Sequence, residues 1–350
     1  MNLLRSTSLV GALLAAACQA NFDPALLDAH GGAGGSAPST GGASTGGATG
    51  TSGAATTRGC EGDPPCAGIS CCNVAQVPGG SFSRGYDASG SATQPGASES
   101  VSGFQSLGAA KATVGAFGLD TFEVTVNRFR RFMTAYDGWR AAGNPKSDTG
   151  AHPLIPGSGW KSEWESELPR SAEVLTQSLD CGPESTLLDA TSAQTNLPIN
   201  CVSWYVAFAF CAWDGGRLPT EAEWNYAAAG DEQRAFPWSA PPDSLTLTGE
   251  HAVYGDVAVA AAGSRATLDG GRFGHHDLAG NVREWTLDTC DEVASYTEPD
   301  GCNDCASLSG TRRARRGGDF GADAARSRTA YRSSADPSAL QVYNGLRCAR

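Results

Sequence analysis

The segment DLAGNVREW, residues 277–285, holds the most explicit chemistry in the chain. Asp277 and Glu284 place carboxylate oxygens seven residues apart, and the Gly280–Asn281 turn between them can aim main-chain carbonyls into the same space. Hard oxygen donors at this density suit calcium; the plainer alternative is a turn pinned by Asn281 and Trp285. Twelve cysteines form a second set. Four lie in CEGDPPCAGISCC, a turn-rich run too short for a core, where disulfides are the natural content because adjacent Cys71 and Cys72 suit a tetrahedral zinc site poorly. Cys181 and Cys201 bracket a loop and can pair, while Cys290, Cys302 and Cys305 crowd another stretch with their partners open. Cys302 and Cys305 have the CxxC spacing of redox pairs, but no strand–helix context of the thioredoxin kind surrounds them, which favours a structural use. Of five histidines only His275 and His276 are neighbours, and adjacent side chains on extended backbone point to opposite faces, a poor chelate. The basic run Arg312, Arg313, Arg315 and Arg316, with Arg326, Arg328, Arg332 and Arg347 beyond it, either pairs with nearby carboxylates or lines a groove for an anionic peptide or glycan.

Few regular elements are available to position these groups. VPGGSFSRG, with its Gly-Gly turn and flanking apolar residues, predicts a strand entering a globular body, and AFGLDTFEVT alternates as another. Val126, Phe129, Phe132, Met133 and Tyr136 fall at helical spacing behind a capping Thr125. Trp204, Ala207, Phe208, Cys211 and Ala212 predict one face of a second helix, opened by Ser203 and stopped by Gly215 and Gly216. In LPTEAEW, Thr220 precedes Glu223 by three residues, a capping box for a third helix that Gly230 ends. Beyond Phe236 the chain reads as loops and brief strands rich in Gly, Asp and Pro, with Trp238 and Trp285 as anchors.

A formal charge of −12 speaks against a nucleic-acid partner, which needs a positive footprint. The first 17 residues, a basic start and an apolar run ending in small residues, have the layout of a signal peptide, too short for a membrane span. Leu14-Ala15-Ala16-Ala17-Cys18 resembles a bacterial lipoprotein signal, with Cys18 as the lipidated residue, although Ala15 stands where the signal's leucine is usual. Residues 18–59 are a tether dominated by Gly, Ala, Ser and Thr, which cannot bury enough apolar surface to fold, and 60–75 a cysteine-rich collar. Export implies an oxidising compartment, so disulfides become the default for the cysteines.

VPGGSFSRG, EVTVNRFRRF, LPINCVSWYVAFAFCAWDGGRLPTEAEWNYAAAG, FGHHDLAGNVREWTLD, RRGGDF and NGLRCAR, in that order, resemble the formylglycine-generating enzyme (sulfatase-modifying factor) family across residues 76–350. The resemblance implies an α+β fold with little regular secondary structure, related to the C-type lectins, with an irregular surface groove. It implies a calcium ion on the side chains of Asp277 and Glu284 and the carbonyls of Gly280 and Val282, and a disulfide between Cys211 and Cys348. The family's other calcium site matches the loop from His251 to Asp256 poorly and is not carried over.

Catalytic members carry two cysteines after the Gly317–Gly318 pair that bind copper and engage the substrate thiol; here those places hold about Ala322 and Ser327, and residues 318–347 contain no cysteine. Neither a methyl nor a hydroxyl replaces the thiolate that copper(I) requires, so copper and formylglycine formation are not expected, and no catalytic residue is assigned. Relatives that use iron bound by three histidines are not matched either. Two readings follow from the resemblance. One is a calcium-stabilised, non-catalytic binding module, lipid-anchored at the bacterial cell envelope or surface, holding a peptide, glycan or partner protein in its groove. The other is a formylglycine-generating-type oxidoreductase acting on exported proteins through a rearranged site in the Cys290–Cys305 loop, which requires Cys302 and Cys305 as thiols.

Overall fold

Helix starts sealed by side chains set the frame for everything else in the computed structural model, which describes residues 60, 62–86, 88–89, 110–189, 196–291 and 301–350. Helix α1, Val126–Ala141, is capped by Thr125, whose Oγ1 accepts from the Arg128 amide at 3.3 Å. Helix α4, Trp204–Trp213, is capped by Ser203. Helix α5, Glu221–Ala229, opens on the capping box, with the Glu223 amide on Thr220 Oγ1 at 3.0 Å and the Thr220 amide on Glu223 Oε2 at 2.8 Å, and it ends at Gly230, whose φ is +66°. Each cap satisfies amides that the first helical turn leaves without a partner. Two shorter helices, α2 (Ala172–Ser178) and α3 (Thr186–Asp189), and a 3₁₀ turn (Ser162–Glu167) join α1 to α4.

The strands are brief. β1 (Val74–Val77) pairs antiparallel with β4 (Phe117–Asp120); β2 (Gly80–Arg84) pairs with β3 (Ala110–Val114), which takes β6 (Cys302–Asn303) in parallel. The third sheet has the order β8-β7-β5-β9, from Arg332–Ala335, Arg313–Arg316, Arg283–Thr289 and Asn344–Gly345. The molecule is thus mixed α/β with modest helix content, as expected.

Packing departs from expectation at α4. The sequence pattern implied one apolar face, yet every residue of α4 except Tyr205 and Ala212 is buried. A helix that is apolar all round belongs inside a core. Here α1 covers it with Phe129 stacked on Phe210 at 5.2 Å and Phe132 edge-on to Phe210 at 5.7 Å, while Trp285 of β5, fully buried, donates its indole N–H to the Val202 carbonyl. Trp238 lies half-buried between Phe236 and His251, its indole on the Thr246 carbonyl.

Five disulfides lace this frame: Cys60–Cys72, Cys66–Cys71, Cys181–Cys201, Cys211–Cys348 and Cys302–Cys305. The collar cysteines are therefore bonded to one another, and Cys211 ties α4 to the last residues of the chain. Cys290 is buried and belongs to none of the five. The signal, Cys18 and the tether lie outside the described residues.

Candidate functional site

The turn in DLAGNVREW is built from left-handed backbone: φ is +57° at Asp277, +83° at Gly280 and +56° at Asn281. Gly280 admits no other residue, because a Cβ there would sit 2.2 Å from the Val253 carbonyl oxygen. The turn delivers the chain into β5, whose rigid start aims Glu284 inward. Glu284 is fully buried and held on both oxygens: Arg347 donates Nε to Oε2 and Nη2 to Oε1, each at 2.7 Å, and the Trp224 indole donates to Oε2 at 2.6 Å. Asp277 Oδ2 accepts from the Gly263 amide at 2.6 Å, and its own amide donates to Asp269 Oδ2 at 3.1 Å. Asp269 also accepts from, or pairs with, His276 Nδ1 at 2.6 Å, which raises the His276 pKa.

Sequence reading missed Glu123. It is fully buried between the two arms of the turn, with Oε1 accepting from the Val282 amide at 3.1 Å and Oε2 from Asn281 Nδ2 at 2.6 Å. Three buried carboxylates, Glu284, Glu123 and Asp277, thus act on one guanidinium, that of Arg347, with buried Asp269 beside Asp277, and the electrostatics show the excess of negative charge. Burial and the neighbouring Asp269 push Asp277 up to about 7; burial, Asp277 and Glu284 push Glu123 well above the ordinary carboxylate range. Among the described residues no group of three or more His, Cys, Asp or Glu is arranged to hold a metal ion.

The second place of interest follows Gly317 and Gly318, with φ of +94° and +73°. A Cβ at Gly318 would meet the Arg326 carbonyl oxygen at 2.7 Å, so the chain turns back on itself here only with glycine. Ala322 is 1% exposed and Ser327 0%. The Ala322 carbonyl accepts from the Gly255 amide at 2.8 Å and the Phe320 carbonyl from the Asp256 amide at 2.7 Å, so the 253–256 segment lies against this turn. Ser327 Oγ donates inward, to the Asp323 carbonyl at 3.2 Å. Both side chains are internal, one a methyl and the other a hydroxyl already used.

With these two places defined, comparison with known proteins decides the family. The sulfatase-modifying factor enzyme 1-like domain matches residues 65–350. The chain belongs to that family. It is 30% identical to the formylglycine-generating enzyme of Mus musculus over 268 residues, 69% of this chain and 68% of that protein. It is also 30% identical to the inactive C-alpha-formylglycine-generating enzyme 2 of Bos taurus over 238 residues, 61% of this chain and 70% of that one. Among solved structures, PvdO from Pseudomonas aeruginosa shares the fold at 22% identity, with a TM-score of 0.51 over 79% of this chain and 93% of that one.

The four described histidines of this family member sit in separate surroundings. His275 is fully buried and pushed down to about 3 by burial and by Arg347; His276 faces Asp269, His251 bonds Thr248, and His152 lies 3.3 Å from Glu223. The arginines divide differently from either sequence reading. Arg316 and Arg347 do pair with carboxylates, Glu221 and Glu284, but Arg313 lies 3.7 Å over the Trp204 ring and Arg315 5.5 Å over Trp285, and both are held down to about 10 by burial. These two are packing groups first. An open depression of about 430 Å³ lies instead against β2 and β3, lined by Ser81, Ser83, Lys111, Thr113, Gln233 and Gly301 among others.

Proposed function

We propose that the chain is a non-catalytic binding module of the sulfatase-modifying factor family, exported, lipid-anchored through Cys18 and carried on the 18–59 tether. One observation carries this reading: the places of the copper-binding thiolates are taken by Ala322 and Ser327, buried and engaged within the fold. Five disulfides support export, since such bonds persist in oxidising compartments. The kinship with a protein named inactive is consistent with loss of chemistry on this fold. The depression against β2 and β3, with one lysine and several hydroxyls, is the groove for a peptide, a glycan or a partner protein.

Calcium would be structural. The donors suit a hard cation in kind, because all are oxygens, and in charge, because three buried carboxylates act on one guanidinium. Glu284 Oε1 accepts one hydrogen bond and keeps a second lone pair. Asp277 and Glu284, with the carbonyls of Gly280 and Val282, would hold the ion; it would neutralise charge that now raises the Asp277 pKa. Chelator-treated protein should gain thermal stability on adding calcium chloride, and Asp277→Asn should remove the gain; an unchanged melting temperature would discard the ion.

Against the oxidoreductase alternative stands the Cys302–Cys305 bond, which removes the thiols that reading requires. Oxygen uptake by the copper-treated chain with a cysteine-containing peptide tests the main reading. No uptake above buffer is expected; turnover with aldehyde formation would overturn it.

A further inference from the structure

We propose that the depression against β2 and β3 binds an acidic glycan, with a sugar carboxylate on Lys111 and sugar hydroxyls on the outer face of the two strands. The proposal names the ligand class for the groove of the binding-module reading and rests on that reading.

Alternation along the strands builds this face. Phe82 and Arg84 of β2, and Ala110, Ala112 and Val114 of β3, are buried, so Ser81, Ser83, Lys111 and Thr113 share the opposite face. Register sets Ser81 beside Thr113 and Ser83 beside Lys111, and β6 adds Asn303 next to Thr113. Phe82 and Ala112 line the depression with main chain, because the Phe82 ring packs 5.2 Å from that of Tyr226 on the other face and the Ala112 methyl is buried. The side chains presented by the described lining residues are therefore hydroxyls, the Gln233 amide and one ammonium.

Hydroxyls and amides both donate and accept, which is what the ring edge of a sugar requires of a partner. Ser81 Oγ and Thr113 Oγ1 are 2.7 Å apart, so one hydroxyl proton joins them and the other is left for a ligand. Lys111 is exposed and, among the described residues, forms no ion pair. The described residues that line the depression include no carboxylate, and Asp304, just beyond Asn303, is tied to the far end of β3 by the Gly115 amide at 2.6 Å. In a chain of net charge −12, a hollow whose one described charge is positive selects an anionic ligand. Its volume of about 430 Å³ lies within the usual range of small-ligand sites.

Main-chain geometry favours a sugar over a peptide strand. The carbonyls of Lys111 and Thr113 accept from the Gly301 and Asp304 amides at 3.1 and 2.9 Å, so these two residues turn their main chain toward β6. The opposed Ser83 and Ser81 must then turn theirs toward the outer edge of β2. That edge is open over a short window. Tyr226 donates its hydroxyl to the Gly79 carbonyl at 2.9 Å, Gln233 Nε2 reaches the Ser83 carbonyl at 3.5 Å, and Asn225 Oδ1 takes the Gly85 amide at 3.0 Å. What is left, the two serine amides and the Ser81 carbonyl, is too short a ladder for an added strand, and no apolar side chain lines the hollow to anchor a peptide residue among those described. The same groups extend the donors and acceptors available to sugar hydroxyls.

The test is saturation-transfer difference NMR of the full chain with a hyaluronan hexasaccharide, its carboxyl-amidated form, and a capped glutamate peptide of equal charge. The hexasaccharide should show saturable transfer, and the amidated sugar should bind about threefold more weakly, the effect of one exposed ion pair. Lys111→Gln should bring the two sugars to equal affinity. Ser83→Trp should fill the hollow and abolish transfer to both. A glutamate peptide that binds as tightly as the hexasaccharide would overturn the glycan class while leaving the binding-module reading in place. Absence of transfer to either sugar, or transfer unmoved by both substitutions, would overturn the proposal and remove the depression as the groove. Comparison of the two sugars on Lys111→Gln, a change at an exposed position, decides the matter even where Ser83→Trp fails to fold.

Discussion

At the scale of single residues, the charges inside this protein are held in pairs whose removal should be costly. Among the described residues Arg347 is the guanidinium hydrogen-bonded to Glu284, and both are fully buried. Arg347→Ala should cost about 3–5 kcal/mol in denaturant unfolding, because it strands a buried carboxylate; a loss near zero would mean the pair is solvated. Glu223 offers a pH-resolved test. Although burial would raise its pKa, the Arg217 guanidinium, bidentate at 2.6 and 2.5 Å, holds it down at about 2. A depressed carboxylate stabilises the fold fully above its unfolded pKa near 4.5, and that contribution is lost as pH falls through about 2. Parent and Glu223→Gln should therefore differ by about 3 kcal/mol at pH 7 and converge toward pH 2. A difference independent of pH would contradict the assignment. How far these residues were legible beforehand varies. The Thr220–Glu223 box was plain because its partners are three residues apart, whereas Glu123 was invisible, since Asn281, which it receives, lies 158 residues away.

Elements repeat the lesson. The starts of α1, α4 and α5 could be read because a cap is a local event: Thr125, Ser203 and Thr220 each bond an amide within three residues. The burial of α4 on nearly all sides could not, since the sequence shows that a helix is apolar but not how many neighbours cover it. The Cys211–Cys348 bond came from family resemblance and not from any property of the two residues alone. It closes a sequence separation of 137, for which chain entropy gives about 5 kcal/mol of stabilisation. Replacing both cysteines by alanine should lower stability by an amount approaching this, measured by denaturant titration of the oxidised protein. A loss below about 1 kcal/mol would place the constraint elsewhere, in the α1–α4 core.

For the whole molecule, the family was legible because its motifs run in order through the chain, from the Gly79–Gly80 turn to Arg347. The fate of the family's site was only half legible. Sequence showed that Ala322 and Ser327 replace thiols; the fold adds that both are internal and that the 253–256 segment packs against their turn. The proposed ion is a hard cation rather than a soft one, because the groups that would meet it, among them the buried carboxylates of Asp277 and Glu284, offer oxygen and no thiolate. The most direct test is elemental mass spectrometry of the full chain after exposure to both calcium and copper(I) and removal of loosely held metal. About one equivalent of calcium is expected, with copper well below stoichiometry; one equivalent of copper, retained by the fold, would contradict the non-catalytic, calcium-binding reading.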